Sequence, residues 1–188
     1  HWPRLKAINV DATIRLLETA EAQGVGKCIH VSSSGALGGM PDGRPADESA
    51  PPDAHTMANL YAKSKLLAEE AITAWLPKHH LPVVLILPTV MIGPSDTGPT
   101  RIGQVFVDLI HRKLPLVPPG GFEFVDVRDV AQAMISAIAH GRSGERYIVS
   151  EGYHTMRELA HQITRASGIP APRLFVPYPI LILVARLL

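Results

Sequence analysis

One apolar run near the middle of the chain most constrains the fold. Residues 81–90, Leu-Pro-Val-Val-Leu-Ile-Leu-Pro-Thr-Val, are almost wholly apolar and rich in β-branched side chains. A strand with one face in water would alternate between apolar and polar residues, whereas a continuous apolar run predicts a strand covered on both faces. We therefore expect a central strand of a parallel sheet, with helices packed on each side of it.

The rest of the chain alternates between helix-like and strand-like patterns. Helical spacing of apolar residues is found in five segments: 7–23, 59–75, 101–112, 130–140 and 155–167. Further strand-like segments are 27–33, 122–127 and 146–150. Strands that alternate with helices in this way predict an α/β fold, a doubly wound parallel sheet.

Length, charge and cysteine content exclude several classes of protein. A chain of 188 residues supports one core rather than two full domains. A net charge of +1 without a basic block argues against nucleic acid as a partner. The one cysteine, Cys28, permits no disulfide framework and favours a reducing compartment, so we expect a cytoplasmic protein. The apolar segment 174–188 is too short for an integral membrane segment.

A tyrosine and a lysine lie four residues apart on the predicted helix 59–75. Tyr61 and Lys65 therefore share one helix face. An ammonium this close lowers the pKa of a phenol, which can then exchange protons near neutral pH. Alone, the pair also fits an ordinary surface helix. The preceding strand ends in Ser32-Ser33-Ser34, and hydroxyls beside such a helix favour transfer of a hydride and a proton at a carbonyl.

Several other motifs fail in their sequence context. Gly24-Val-Gly26-Lys27 follows a helix, whereas a phosphate loop follows a strand and opens a helix. Ser34 lacks the Gly-x-Ser-x-Gly elbow of a serine hydrolase. The nine histidines form no His-Glu-x-x-His motif, and we expect His79 and His80 to bind carbonyls or water, so no metal site is predicted.

Four stretches, in this order, resemble the extended short-chain dehydrogenase/reductases, the NAD-dependent epimerase/dehydratase group. They are the serine triplet 32–34, Tyr61-x-x-x-Lys65, residues 87–94 and residues 124–130. Segments 46–48, 93–100 and 144–148 make the chain most similar to the dihydroflavonol-reductase-like and hopanoid-associated sugar epimerase branch.

The resemblance implies catalytic roles for three residues. Ser34 would hydrogen-bond the substrate oxygen, and Tyr61 would pass the proton. Lys65 would lower the tyrosine pKa and hold the nicotinamide ribose. The implied cofactor is NAD or NADP, and its expected contacts are Asn9, Ser32, Ser33, Tyr61, Lys65, Pro88, Thr89 and Val90.

Some of these cofactor contacts have alternatives. Asn9 has a second interpretation as a helix cap, because asparagine caps helices well. Ser32 and Ser33 have a second interpretation as simple strand ends.

The resemblance also implies two interleaved regions that form a single unit. Residues 1–93 correspond to the C-terminal half of a Rossmann-like cofactor-binding domain, and residues 94–188 to a small substrate-binding region with a returning strand and helix. The family's first strands and its glycine-rich loop have no counterpart in the sequence. We therefore expect an N-terminally truncated sheet with the serine strand at its edge, and a chain that lacks normal catalysis on its own.

Three functions remain open. The first is an NAD(P)-dependent oxidoreductase that acts on a CH–OH or carbonyl group of a small molecule. The alternatives are a nucleotide-sugar epimerase or dehydratase and a non-catalytic NAD(P)-sensing protein. Apolar segments 114–121 and 174–183 favour a hydrophobic substrate. The resemblance further implies a homodimer formed through helices 10–23 and 59–75.

Overall fold

Residues Val83–Pro88 form the central strand of a parallel sheet, as the apolar run predicts. In the computed structural model all six residues of this strand are buried. The strand pairs in parallel with Cys28–Val31 on one side and with Arg146–Val149 on the other. The serine strand therefore lies at one edge of this sheet, as expected.

The structure describes residues 1–40, 44–114, 116–170, 172 and 174–175. The α-helices of this part of the chain are α1 Trp2–Lys6, α2 Ala12–Ala22, α3 Ala54–Ala58, α4 Leu60–Trp75, α5 Arg101–Ile110, α6 Val127–His140 and α7 Met156–Ser167. Its strands are β1 Cys28–Val31, β2 Val83–Pro88, β3 Val90–Ile92, β4 Leu116–Val117, β5 Gly121–Asp126, β6 Arg146–Val149, β7 Gly152–Thr155 and β8 Leu174–Phe175. Most of the apolar segment 174–188 lies outside the described residues.

The chain divides into two compact units. The first contains His1–Thr89 and Arg128–Ser150, and the second contains Val90–Val127 and Glu151–Leu188. The second unit is thus built from two stretches that flank the returning segment 128–150. Among the described residues, no helix is both long enough and apolar enough to cross a lipid bilayer.

Helices cover both faces of the sheet in the first unit. Side chains of β2 alternate, and its odd-numbered residues Val83, Leu85 and Leu87 pack in one core with Leu17 of α2 and Ile72 of α4. The opposite face meets α6, because a Cβ placed on Gly141 would lie 2.9 Å from Val84 Cγ1. Helices on two faces of parallel strands confirm the doubly wound α/β prediction.

The first helix begins earlier than its apolar spacing predicts and contains a π-helical segment. It starts at Trp2 with Pro3 in its first turn, where the missing proline N–H has no intrahelical partner to lose. Residues Ala7–Asp11 are π-helical and separate α1 from α2. Past the end of α2, Gly24 adopts a φ of 72°, which places glycine where the sequence predicts the helix to stop.

Lys27, the lysine of the rejected phosphate-loop motif, ties β1 to the end of α6. Its Nζ donates to the carbonyl oxygens of Ile138 at 2.7 Å and Gly141 at 3.1 Å. The last carbonyls of a helix lack intrahelical donors and carry partial negative charge, so an ammonium there is stabilising. This role leaves the lysine engaged within the fold rather than with a phosphate.

The predicted strand 81–90 is two strands in the structure. β2 ends at Pro88, which has no N–H to continue the ladder, and Thr89 N donates to Val149 O at 3.1 Å. From Val90 the chain enters the second unit, where β3 pairs in parallel with β5. The short strand β7 pairs antiparallel with β5 and was not predicted.

The second unit has its own core. Phe124 of β5 packs with Leu109 of α5 and with Met156 and Leu159 of α7. A capping box starts α7, since Thr155 Oγ1 accepts from Glu158 N at 3.1 Å while Glu158 accepts from Thr155 N at 2.8 Å.

Candidate active site

The three serines that follow β1 have different surroundings. Ser32 is buried, extends the ladder by donating its N–H to Ile86 O at 2.8 Å, and donates its hydroxyl to Glu69 Oε1. Ser33 Oγ accepts from Gly35 N at 3.1 Å and caps a 3₁₀ helix over Ser34–Ala36. Ser34 is therefore held in a tight turn at the carboxyl end of the sheet, where open parallel sheets bind ligands.

Tyr61 and Lys65 lie in the first two turns of α4. Asn59 fixes the start of this helix, because its Oδ1 accepts from Tyr61 N at 3.0 Å and Ala62 N at 3.2 Å. The Tyr61 side chain is 49% exposed. The half-buried Lys65 donates from Nζ to Val31 O at 2.9 Å, which anchors its ammonium to the last residue of β1.

The serine turn packs against the start of α4. A Cβ placed on Gly35 would lie 3.9 Å from the Ala62 Cβ, within ordinary contact distance. The structure thus places the serine turn beside the first turn of α4, which carries Tyr61, and places the ammonium of Lys65 at the last residue of β1. Hydroxyls, a phenol and an ammonium gathered there can hold and move a proton at a substrate oxygen.

Burial shapes the electrostatics around Lys65. It lowers the pKa of the Lys65 ammonium, and the nearby Glu69 carboxylate opposes that effect. His30, on β1, has a pKa lowered to about 4, first by burial and then by the charge of Lys65. Among the described residues, His30 Nε2 has no hydrogen-bond partner. His30 is therefore neutral at ordinary pH and adds no positive charge beside Lys65.

Asn9 lies in the π-helical segment and contacts the Tyr/Lys helix. Its Nδ2 donates to Ser64 Oγ at 2.8 Å, and Ser64 Oγ donates to Tyr61 O at 2.7 Å. Asn9 lies inside a continuous helical stretch, so the helix-cap interpretation is wrong. π-helical segments often occur at functional sites, and contact of Asn9 with a cofactor stays a prediction.

The predicted cofactor segment 88–90 is divided between the two units. Pro88 and Thr89 are buried at the end of β2, beside Val149 of β6. Val90 begins β3 in the second unit and is half-buried. The contacts of these three residues with nicotinamide stay a prediction.

Glu69 was missed by the sequence reasoning. It lies one turn beyond Lys65 and is only 3% exposed, with Ser32 and Arg146 as partners. The signal was present, since a carboxylate four residues after a lysine shares its helix face. Surface ion pairs have the same spacing, so sequence alone does not reveal the burial.

A large apolar cavity lies in the second unit. Its volume is about 730 Å³, within the range of small-molecule sites. Its lining includes Val105, Leu109, Phe122 and Met156. Arg101 is the charged residue among the described residues that line this cavity.

Glu21 contacts both of the paired histidines, His79 through its ring and His80 through its backbone N–H. Glu21 Oε2 lies 2.5 Å from His79 Nδ1, and Glu21 Oε1 accepts from His80 N at 2.6 Å. Among the described residues, no group of three or more His, Cys, Asp or Glu is placed to hold a metal ion. The carbonyl or water contact expected for His79 was wrong, because the backbone turn places its ring beside Glu21.

Comparison with known proteins gives relatives along most of the chain. The chain is 32% identical over 174 residues to a dihydroflavonol 4-reductase-like protein of Synechocystis sp., covering 90% of this chain and 50% of the relative. It is 30% identical over 170 residues to sterol demethylase protein B of Methylococcus capsulatus, covering 90% and 51%. The chain thus spans about half the length of these curated relatives.

The fold is found in solved structures too. The crystal structure of gox2253 matches with a TM-score of 0.86 at 29% identity, covering 100% of this chain and 58% of that chain. A family model for the NAD dependent epimerase/dehydratase family matches residues 4–150. The resemblance predicted from the motifs is confirmed, and the dependence of the family on NAD confirms the expected cofactor class. This chain belongs to the NAD dependent epimerase/dehydratase family.

Proposed function

We propose that the protein is an NAD(P)-dependent oxidoreductase that interconverts a CH–OH group and a carbonyl. One observation carries the proposal. The ammonium of Lys65 is anchored 2.9 Å from Val31 O, at the end of the serine strand, while Tyr61 is exposed one turn earlier on the same helix. The fixed cation and the accessible phenol support proton transfer to a small molecule.

The residues present fit the nicotinamide end of a cofactor. An ammonium and several hydroxyls gather at the carboxyl end of parallel strands, where such ligands bind. When bound, NAD(P)H supplies the hydride. Lys65 would hold the ribose hydroxyls, and Asn9, Ser33, Pro88 and Thr89 would line the site. The Ser32 hydroxyl is engaged by Glu69 and its backbone N–H by Ile86 O, so we assign Ser32 no side-chain contact with the cofactor.

The proton steps follow from the chemistry of these side chains. In reduction, the substrate carbonyl accepts two electrons with the hydride at carbon and a proton from Tyr61 at oxygen, which gives an alcohol and a tyrosinate. Lys65 lies one helical turn after Tyr61, and its ammonium would stabilise the tyrosinate by its charge. Ser34 donates a hydrogen bond to the substrate oxygen and orients it. Oxidation of an alcohol is the reverse.

We favour a hydrophobic ketone or alcohol as the substrate. The cavity of the second unit is apolar, and the charged residue of its described lining is Arg101. A nucleotide sugar would need several cations for its pyrophosphate. The guanidinium of Arg146, a cation that could otherwise meet a pyrophosphate, is already bonded to Glu69 and Glu48. The epimerase alternative differs in stoichiometry, because it would leave the amount of NAD(P)H unchanged over a complete reaction.

Tyr61→Phe tests the proposal in the intact protein. We expect kcat to fall at least about 100-fold, since general acid–base catalysis contributes that much. The affinity for NADPH or NADH, measured by nicotinamide fluorescence, should stay within twofold. Tyr153→Phe is the control, because this tyrosine is exposed on β7. Full activity in Tyr61→Phe would contradict the proposal, and a sensor would show NAD(P)H binding without turnover of any carbonyl.

Val105→Phe tests the substrate class. A larger side chain in the cavity should raise KM for apolar ketones about tenfold while cofactor affinity stays unchanged. Ile110→Phe, at an exposed position of the same helix, is the control. An unchanged KM in Val105→Phe would remove the cavity from substrate binding.

A further inference from the structure

A buried carboxylate lies behind the proposed proton-transfer residues. Glu69 is 3% exposed, although the neighbouring Glu70 on the same helix is exposed. A buried ionised carboxylate is costly unless cations and hydrogen-bond donors surround it. The partners of Glu69 come from three elements: Ser32 after β1, Lys65 on α4 and Arg146 on β6.

We propose that Glu69 is a positioning residue for the proton transfer, fixing the serine turn against α4 and placing a buried negative charge one helical turn from Lys65. This inference rests on the proposed function of Tyr61 and Lys65. Glu69 acts through Ser32 and Lys65 and does not contact the substrate.

Two hydrogen bonds join the end of β1 to α4. Ser32 donates its hydroxyl to Glu69 Oε1, two residues before Ser34. Lys65, on the same helix as Glu69, donates from Nζ to Val31 O at 2.9 Å. Two adjacent residues at the end of β1 are therefore bonded to side chains one turn apart on α4. These bonds set the distance between the serine turn and the helix that carries Tyr61.

The carboxylate of Glu69 is paired with charged and polar groups from neighbouring elements. Arg146 Nη1 lies 3.4 Å from Glu69 Oε2, and its Nη2 donates to Glu48 O. Glu48 Oε1 in turn accepts from Ile148 N at 2.9 Å, which holds Arg146 in place. Burial raises the pKa of the Glu69 carboxyl, the Ser32 hydrogen bond and the charges of Arg146 and Lys65 lower it, and the charge of Glu70 adds a smaller upward effect. Paired in this way, the carboxylate can remain charged near Lys65.

The charge of Glu69 has a consequence for Lys65. Burial lowers the pKa of Lys65, and Glu69 opposes this. Among the described residues, two titratable groups interact with this ammonium: Glu69 on the same helix and His30 on β1. Glu69→Gln keeps the size and an acceptor for Ser32 but removes the charge. Lys65 should then lose its proton at lower pH, and with it the stabilisation of tyrosinate.

The test is the pH dependence of kcat in the intact protein with a carbonyl substrate. In Glu69→Gln we expect kcat to fall about tenfold and its alkaline limb to move to lower pH by about one unit, the size of a nearby charge effect. Cofactor affinity should stay within twofold. Glu70→Gln, which removes the adjacent exposed charge, should leave the alkaline limb of kcat at the same pH as in the native protein.

A purely structural role would lower the thermal midpoint of Glu69→Gln without moving the alkaline limb, and that result overturns the proposal. If Glu69→Gln does not fold, Ser32→Ala carries the test, because it removes the strand-end hydrogen bond and leaves every charge in place. A folded Ser32→Ala variant with native kcat would also overturn the proposal, and a several-fold lower kcat would support it. Activity in Tyr61→Phe would instead remove the proposed function itself.

Discussion

The side-chain oxygen of Asn59 accepts a hydrogen bond from the backbone N–H of Tyr61 at 3.0 Å. The proposed proton donor therefore sits in the capped first turn of α4, where its backbone is held by the residue that starts the helix. A second bond from Ala62 N at 3.2 Å completes the cap. Stability of the helix end and placement of the phenol thus depend on the same side chain.

Asn59→Ala should weaken both stability and activity. Loss of an N-cap costs about 1 kcal/mol, and fraying of the first turn would displace Tyr61. We expect the free energy of unfolding to fall by that amount in urea titration and kcat to fall several-fold. Asn59→Ser, which keeps a capping oxygen, should recover most of both. Equal kcat in Asn59→Ala and the native protein would show that the cap does not position Tyr61.

A pair of variants distinguishes the role of Asn9 from that of Ser64. Both Asn9→Leu and Ser64→Ala remove the 2.8 Å hydrogen bond between them, so each should destabilise the protein by about 1 kcal/mol. We expect only Asn9→Leu to weaken NAD(P)H binding, because only that change removes the amide predicted to lie near the cofactor. Equal cofactor affinity in both variants would limit Asn9 to packing against α4.

His30 should make stability depend on pH. Its pKa of about 4 in the folded protein lies below the ordinary value of 6.5, so the neutral ring is favoured by folding. This contribution is complete above pH 6.5 and is lost as the pH falls toward 4. The loss is at most about 3 kcal/mol for a shift of this size.

Unfolding free energies of His30→Phe between pH 7 and 4 measure this effect. The variant has no titrating ring, so its stability should fall less than that of the native protein over this range. His140→Gln, at an exposed position, should follow the native curve. Parallel curves for the native protein and His30→Phe would contradict the assignment of a depressed His30 pKa.

A homodimer through the first helix and α4 stays a prediction from the resemblance. Leu16, on α2, is 69% exposed, and Leu60 adds exposed apolar surface at the start of α4. If these side chains meet a second copy, Leu16→Glu should give a monomer in sedimentation equilibrium, since an unpaired carboxylate is costly in an interface. Ile138→Glu, on α6, is the control. A monomeric native protein would rule out the dimer.

Features set by neighbouring residues were predictable from sequence. The run 81–90 predicts a strand buried on both faces, and the spacing of Thr155 and Glu158 is typical of the start of a helix, here α7. The serine turn and the Tyr/Lys helix also lie where their motifs predict. In each case a local pattern, such as periodicity or cap spacing, determines the structure.

Features that depend on distant partners were not predictable. The π-helical segment Ala7–Asp11 carries no local signal, and its Asn9 contacts a residue 55 positions away. The split of 81–90 at Thr89 depends on pairing with Val149 and Phe124. Likewise, Glu69 is buried because α4 turns that face toward Arg146, which is 77 positions later in the chain.

The returning segment 128–150 has a consequence for how the chain is made. β2 pairs on one side with β6, so the first sheet cannot be completed on the ribosome until the whole of residues 90–127 has emerged. During that interval one edge of the most apolar strand lacks its partner, and such exposed edges are prone to wrong pairing. The Lys27 contacts with the end of α6, which span 111 positions, can form only after this step. Newly synthesised chains should therefore depend on chaperones most strongly just before residue 150 is released.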